Sequence, residues 1–258
     1  MDQELIEKVM KKVTEDMGME NSCKTSKCCA ASSVTEFVGT AMGDTIGLVI
    51  ASVDPQLTEI MKLGHYRSIG VIGSRTGAGP QIMAVDDAVK ATNTEIITVE
   101  LPRDTKGGAG HGCLIYIGAD DVSDAKRAVE IALQNVSKYF GDVYGNDAGH
   151  LEFQYTARAS YCLEKSFGTP LGRAFGMVIG APAAIGTVLA DVAVKAASVE
   201  VVGYSHPAEG TSHSNECILT FTGDSGAVRQ AVLASIEVGK KLLGALGDEP
   251  KSSTTPYI

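Results

Sequence analysis

Two glycine-rich loops, one histidine-bearing loop and a thiol cluster hold the residues of this chain best suited to chemistry. Gly73-Ser74-Arg75-Thr76-Gly77-Ala78-Gly79 precedes Pro80 and an apolar helical run, so its N–H groups would favour an oxygen-rich solute. It is no nucleotide loop. The Walker pattern meets Ala78 at its second Gly with no Lys behind it, and the dinucleotide fingerprint meets Ile82 at its third Gly. The second loop carries Lys106, Gly108 and His111 but runs into a strand, which removes any helix dipole. His206, Glu209, His213 and Glu216 share a third loop. They would hold a metal only if several chains converged there, and singly they read as polar loop residues in water. Cys23, Cys28 and Cys29 match no C-x2-C spacing and have no second pair or nearby His, so the plain reading is a linker with spare thiols. No nucleophile elbow, zinc-protease pair or acid–base pair assembles. The residue types therefore specify a binding or structural protein with no catalytic residue, no metal and no cofactor.

The elements that must position these loops follow from composition and pattern. The 258 residues are enough for two domains, and 44% hydrophobic content is ample for their cores. A net charge of −9 gives nucleic-acid binding no electrostatic support. No apolar run reaches the ~18 residues of a membrane span, and an N-terminus with early acids and no apolar core segment predicts retention in the cytosol. Reduced thiols are expected there. Residues 2–17 place Leu5, Ile6, Val9, Met10 and Val13 on one helical face. Residues 18–33 read as a polar linker. From there the pattern predicts strands at 45–53, 68–73, 96–100 and 113–118, with helices over 55–63, 80–91 and 122–139. It predicts strands again at 151–159, 174–179, 199–204 and 217–223, with helices up to 167, up to 197 and over 225–243. Residues 244–258 read as a polar tail.

That second series is the first one written again. Asp86-Asp87-Ala88-Val89-Lys90-Ala91 recurs about 105 residues later as Asp191-Val192-Ala193-Val194-Lys195-Ala196. Arg67 and Gly70 pair with Arg173 and Gly176, Pro102 with Pro207, Leu114 and Gly118 with Leu219 and Gly223, and Ala128-Val129 with Ala231-Val232. The expected organisation is a segment 1–33, a first domain 34–145 and a second domain 146–258. Each domain is an α+β unit with four strands and helices on one face.

The repeated units A-F-G-M-V-I…A-D-V-A-V-K-A-A-S-V-E-V-V-G-Y and G-D-S-G-A-V-R-Q-A-V resemble the BMC domain of bacterial microcompartment shell proteins. In both copies the strand that ends an ordinary domain of that family comes first. This permutation resembles the trimer-forming shell proteins, and T-E-F-V-G-T-A-M-G-D-T, R-T-G-A-G-P and L-P-R-D-T-K-G-G-A-G-H-G resemble their propanediol-utilisation branch. The resemblance implies two tandem, circularly permuted BMC domains, each a four-stranded antiparallel sheet with helices. It implies a homotrimer forming a pseudohexameric tile, packed with other shell proteins around encapsulated enzymes in the cytoplasm. The other reading is a soluble small-ligand-binding or regulatory α+β protein whose domain is merely duplicated.

The resemblance also implies roles for residues. Lys90 and Lys195 match the family's tile-edge lysine, and Arg158 its edge arginine, while Ser52 holds that place in the first copy. The loops 101–112 and 205–215 match the loop around the central pore, which places Lys106, Gly108, His111, His206, Glu209 and His213 there. A second pore inside each subunit would be lined by Ser74, Arg75, Thr76, Gly77, Asp142, Tyr144, Asn146, Ala183 and Thr187. Such a polar rim suits small polyols, glycerol or 1,2-propanediol, which can exchange water for its hydrogen bonds. The N-terminal helix is expected to attach encapsulated enzymes.

Overall fold

The computed structural model describes residues 34–103 and 111–258. The expected helix and linker at 1–33, and Lys106 and Gly108, lie outside the described residues. The strands are β1 (Phe37–Ala41), β2 (Thr45–Ile50), β3 (Ser68–Ser74), β4 (Glu95–Glu100), β5 (Cys113–Ala119), β6 (Val143–Asn146), β7 (Gly149–Thr156), β8 (Ala174–Ala181), β9 (Val199–Ser205), β10 (Cys217–Gly223) and β11 (Lys251–Ser252). The helices are α1 (Pro55–Ile60), α2 (Gly79–Lys90), α3 (Val122–Tyr139), α4 (Tyr161–Phe167), α5 (Ala183–Ala196) and α6 (Ser225–Gly244).

Each expected set of four strands forms one antiparallel sheet, β2-β3-β5-β4 in the first copy and β7-β8-β10-β9 in the second. β1 extends the first sheet to five strands, and β6 with β11 extends the second to six. The expected boundary at 145/146 falls inside β6, whose four pairs to β7 tie it to the second sheet. Residues 244–258, expected as a polar tail, fold back as β11 and a capping segment. The N–H groups of Tyr257 and Ile258 donate to buried Asp142, at 2.8 and 3.1 Å. The tail therefore answers a buried carboxylate that the resemblance assigns to the lining of the subunit pore.

The repeat holds at the level of turns. Asp54 caps α1 by accepting from the Gln56 N–H (2.9 Å), and Ser160 caps α4 by accepting from Cys162 (3.2 Å). The N–H of Val53 meets the Arg67 carbonyl at 2.8 Å, and that of Ala159 meets Arg173 at 2.8 Å. Lys62 (φ 56°) and Gly168 (φ 71°) turn left-handed at the same place after each short helix. Gly70 opposes Ile117 and Gly176 opposes Phe221, so Ile117 answers to Phe221, and likewise Ile96 to Val201. This corrects the pairing of Leu114 and Gly118 by one position. Their counterparts are Ile218 and Thr222, because matching letters are a weaker guide to register than ladder hydrogen bonds.

The second core packs Leu151, Phe153 and Val178 of the sheet against Leu189, Val232 and Leu243 of α5 and α6. The first core packs Ile72, Ile115 and Ile117 against α2 and α3, and continues into Phe175, Met177 and Ile179 of the second sheet. The open face of the second sheet is thus partly covered by the first domain's helices.

Candidate functional site

Between the two domains lies a cavity of about 330 Å³. One wall is the turn Thr76–Gly79 with Ile82 of α2. The others come from Phe140 and Val143, from Phe167 at the end of α4, and from Met177, Ile179 and Ile218 of β8 and β10. Set into this apolar lining are His111 just before β5, His150 and Glu152 of β7, and Glu216 just before β10. A broader groove of about 770 Å³ lies at the surface beside α1, bordered by Pro55, Thr58, Glu59 and Lys62. Among the described residues no three His, Cys, Asp or Glu are grouped to hold a metal, and no helix is long and apolar enough to cross a membrane.

Strand β7 explains how carboxyls come to lie in the interior. Its alternation sends Leu151 and Phe153 to the domain's own core and Glu152 and Gln154 to the other face, which the first domain covers. Gln154 is fully engaged there. Its amide donates to the Tyr139 carbonyl (3.0 Å) and to Glu152 Oε1 (3.1 Å), and its oxygen accepts from the Tyr257 hydroxyl (3.0 Å). Gly79 lies so close that a Cβ there would stand 1.8 Å from Glu152 Oε1. Glycine there lets the first domain's backbone close over this carboxyl without displacing it.

The electrostatics of the two acids diverge. Burial pushes the Glu152 carboxyl up to about 7, against the smaller opposing effects of Gln154 and His150. Burial also disfavours a charge on Glu216, but hydrogen bonding from His150 and Ser214 and the nearby imidazoles outweigh it and hold the carboxyl below its ordinary value. Ser214 donates to Glu216 Oε1 at 2.9 Å. His111 Nε2 lies 3.7 Å from Oε1 and His150 Nε2 3.6 Å from Oε2. Neither ring nitrogen of the buried His111 has a hydrogen-bond partner. The cavity thus offers an ionised carboxylate, a carboxyl that titrates near neutrality and an unsatisfied imidazole, opposite a methyl-rich wall. It can take a small molecule with hydroxyl groups at one end and carbon at the other.

The structure scatters the sequence-derived site residues. Thr76 and Gly77 line the cavity. Ser74 is buried beside it, donating to the Gly77 carbonyl (2.8 Å) and contacting Cys113 Sγ, and Arg75 is exposed. Asp142, Tyr144 and Asn146 are spent internally. Tyr144 donates to Asp142 (3.0 Å), and the Asn146 amide donates to the carbonyls of Leu243 and Asp248 (3.2 and 2.8 Å). Ala183 and Thr187 sit on α5, where the Ala183 N–H donates to Asn215 Oδ1 (3.1 Å) and Thr187 is exposed.

Of the loop residues, Glu209 and His213 are exposed. His206 closes a tight turn with Glu209, and their backbones exchange bonds of 2.7 and 2.9 Å. His111 is buried at the cavity. Lys195 is exposed and pairs with Asp191 (2.6 Å), and Arg158 is exposed. Lys90 is held against Asp86 and reaches Thr156 of the second domain (3.4 Å). Sequence reasoning missed Glu152 and His150 as site residues and set Glu216 aside. The available signal was the break in the repeat, which places Glu152 and Gln154 where the first copy has Ile46 and Leu48.

Comparison with known proteins places this fold. The BMC domain model matches residues 68–146 and 174–247. A bacterial microcompartment shell protein PduB of Citrobacter freundii is 65% identical over 227 residues, covering 88% of this chain and 84% of that protein. The PduB shell protein of Limosilactobacillus reuteri is 54% identical, covering 89% and 97%. Among solved structures, a trimeric microcompartment shell protein PduB superposes with a TM-score of 0.85 at 54% identity, covering 87% of this chain and all of that one.

Proposed function

The chain belongs to the BMC-domain family of bacterial microcompartment shell proteins, and we propose that it serves as a structural tile of such a shell in the cytoplasm, of the propanediol-utilisation type. The observation that carries this reading is the match of both domains, in order and over nearly the whole chain, to a trimeric shell protein. Three copies would close as a C3 ring, and two similar domains per copy make that ring a pseudohexamer. Its role is structural rather than catalytic. Lys90, Lys195 and Arg158 would carry weak rim contacts to other tiles, each worth ~0–1 kcal/mol and effective by number. The segment 1–33 would attach encapsulated enzymes by the same multivalent logic. The loops 101–112 and 205–215 would ring the centre of the tile.

Small polyols would pass Arg75 and Thr76 and occupy the interdomain cavity, one per subunit. Hydroxyl groups would meet His111, Glu152 and Glu216, and a methyl or methylene would meet Met177 and Ile179. The unpartnered nitrogens of His111 support this placement, since a buried imidazole gains most from a ligand that completes its bonding. Electron microscopy of the concentrated protein tests the tile, which requires trimers and extended sheets. Crystals soaked in glycerol or 1,2-propanediol test the pore. Density on the threefold axis alone, or none, would end the cavity assignment and leave the tile standing.

A further inference from the structure

The hydrogen bonds around Glu152 have a fixed direction, and that direction decides where its proton sits. Gln154 Nε2 lies 3.0 Å from the Tyr139 carbonyl oxygen, which accepts and cannot donate, so the amide nitrogen must face it. The second hydrogen of that nitrogen goes to Glu152 Oε1 at 3.1 Å. The amide oxygen meets the Tyr257 hydroxyl at 3.0 Å, and that hydroxyl in turn accepts from the Tyr155 N–H at 3.1 Å. Gln154 therefore cannot turn over, and Glu152 Oε1 is an acceptor whether the carboxyl is neutral or charged. The backbone at Gly79 packs against the same oxygen. A proton on this carboxyl thus belongs on Oε2. That atom has no hydrogen-bond partner among the described residues, on a side chain that lines the cavity.

We propose that the cavity also takes a small aldehyde or ketone, whose oxygen accepts the Oε2 proton of Glu152, and that loss of this proton leaves the position to hydroxyl compounds. The inference rests on the cavity reading above and names the group that sets which ligand is held. A ketone or aldehyde oxygen only accepts hydrogen bonds, so the acid form matches it and the carboxylate repels it. A hydroxyl accepts from the acid or donates to the carboxylate, so it fits both. The other walls treat the two classes more evenly. His111, with both ring nitrogens unpartnered, can donate one N–H to either, and Met177, Ile179 and Ile218 face the carbon end of either. The titratable groups around Glu152 are His150 on its own strand, Glu216 before β10, His111 before β5 and Tyr257 of the C-terminal segment. Strand β8 and the turn at Gly79 bring none. Burial, the largest influence on this carboxyl, puts its loss of the proton at about 7. The acid form is complete well below that value and disappears as pH rises through it.

The test measures binding of acetone and 2-propanol, which share a carbon skeleton, to the full chain by ligand-observed NMR from pH ~5.5 to ~8.5. Displacement by 1,2-propanediol places each probe in the cavity. Acetone should lose about tenfold in affinity across that range, while 2-propanol should change by less than about threefold. Glu152→Gln separates this proton from those of His111 and His150, which the variant keeps. Gln154 still presents a hydrogen to position 152, so the introduced amide must turn its oxygen there and its nitrogen to the cavity. The variant should hold acetone at every pH as tightly as the wild-type chain does in acid. Acetone that fails to bind where 1,2-propanediol does, that binds without regard to pH, or that weakens as steeply in the variant would overturn the inference and leave the polyol site standing. Failure of acetone, 2-propanol and 1,2-propanediol alike would overturn the inference and the cavity reading together.

Discussion

The most informative single perturbation is Glu152→Gln. Glutamine keeps the shape of the side chain and can still accept the Gln154 amide bond, so the change removes only the titrating proton. Burial raises the Glu152 carboxyl from 4.5 to about 7. At ~1.4 kcal/mol for each tenfold in an equilibrium, ionising it in place costs about 3 kcal/mol more than in the unfolded chain. Because the folded value lies above the unfolded one, the favourable state is complete below about 4.5 and is lost as pH rises through about 7. Glu216 acts in the opposite sense. Its depressed carboxyl contributes stability above its unfolded value that is lost as pH falls through the folded one. That contribution is present in both proteins and cancels in their difference. The variant should therefore match wild type near pH ~4.5 and exceed it by ~3 kcal/mol above pH ~8. For a chain of this size that is roughly 6–12 °C in Tm. Thermal unfolding from acid to mildly alkaline pH, at fixed protein concentration because assembly shifts Tm, measures it directly. Because His150 lies beside both acids, 3.6 Å from Glu216 Oε2 and acting on the Glu152 carboxyl, the comparison is repeated with His150→Gln in both proteins. A difference that does not grow with pH, or a variant less stable than wild type at high pH, would refute the account of this carboxyl.

Other outcomes follow from particular contacts. Removing residues 254–258 strips two N–H donors from buried Asp142 and the Tyr257 hydroxyl from Gln154. Asp142 keeps only the Tyr144 hydroxyl, and urea unfolding should register a loss of ~2–6 kcal/mol, at ~1–3 for each of the two buried groups left short of a donor. Gly149→Ala would put a Cβ 2.0 Å from the Ala181 carbonyl oxygen, a backbone atom with little freedom to yield, and should cost ~1–3 kcal/mol by the same assay. Lys195→Ala should abolish sheets under the electron microscope with Tm unchanged, since its ion pair with Asp191 is exposed. Lys90→Ala should also lower Tm, because it leaves the fully buried Asp86 without its cation.

What the sequence settled about this protein is what repeats along it. The A-V-K-A helix, the short strand after it and the Arg67 and Gly70 that return as Arg173 and Gly176 are local patterns. Their second appearance identifies two similar domains before any coordinate is consulted. Strand and helix ranges were legible for the same reason, since apolar spacing at periods of two and 3.6 is a property of neighbouring residues. Tertiary structure alone decided where the two copies differ in use. Glu152 and Gln154 read as the solvent face of a strand, and only the first domain packing across it makes that face interior and moves the carboxyl toward neutrality. The cavity draws His111, His150, Glu152 and Glu216 from distant stretches of chain, so no spacing announces it. Asp142 gives no local hint that the last two N–H groups of the chain will come to it. Leu57 and Val188 look as apolar as Leu163 and Met83, yet one pair is exposed and the other sealed. A sequence repeated twice has the same local preferences in both copies, whereas burial depends on which copy has a neighbour, and that is a fact of three dimensions.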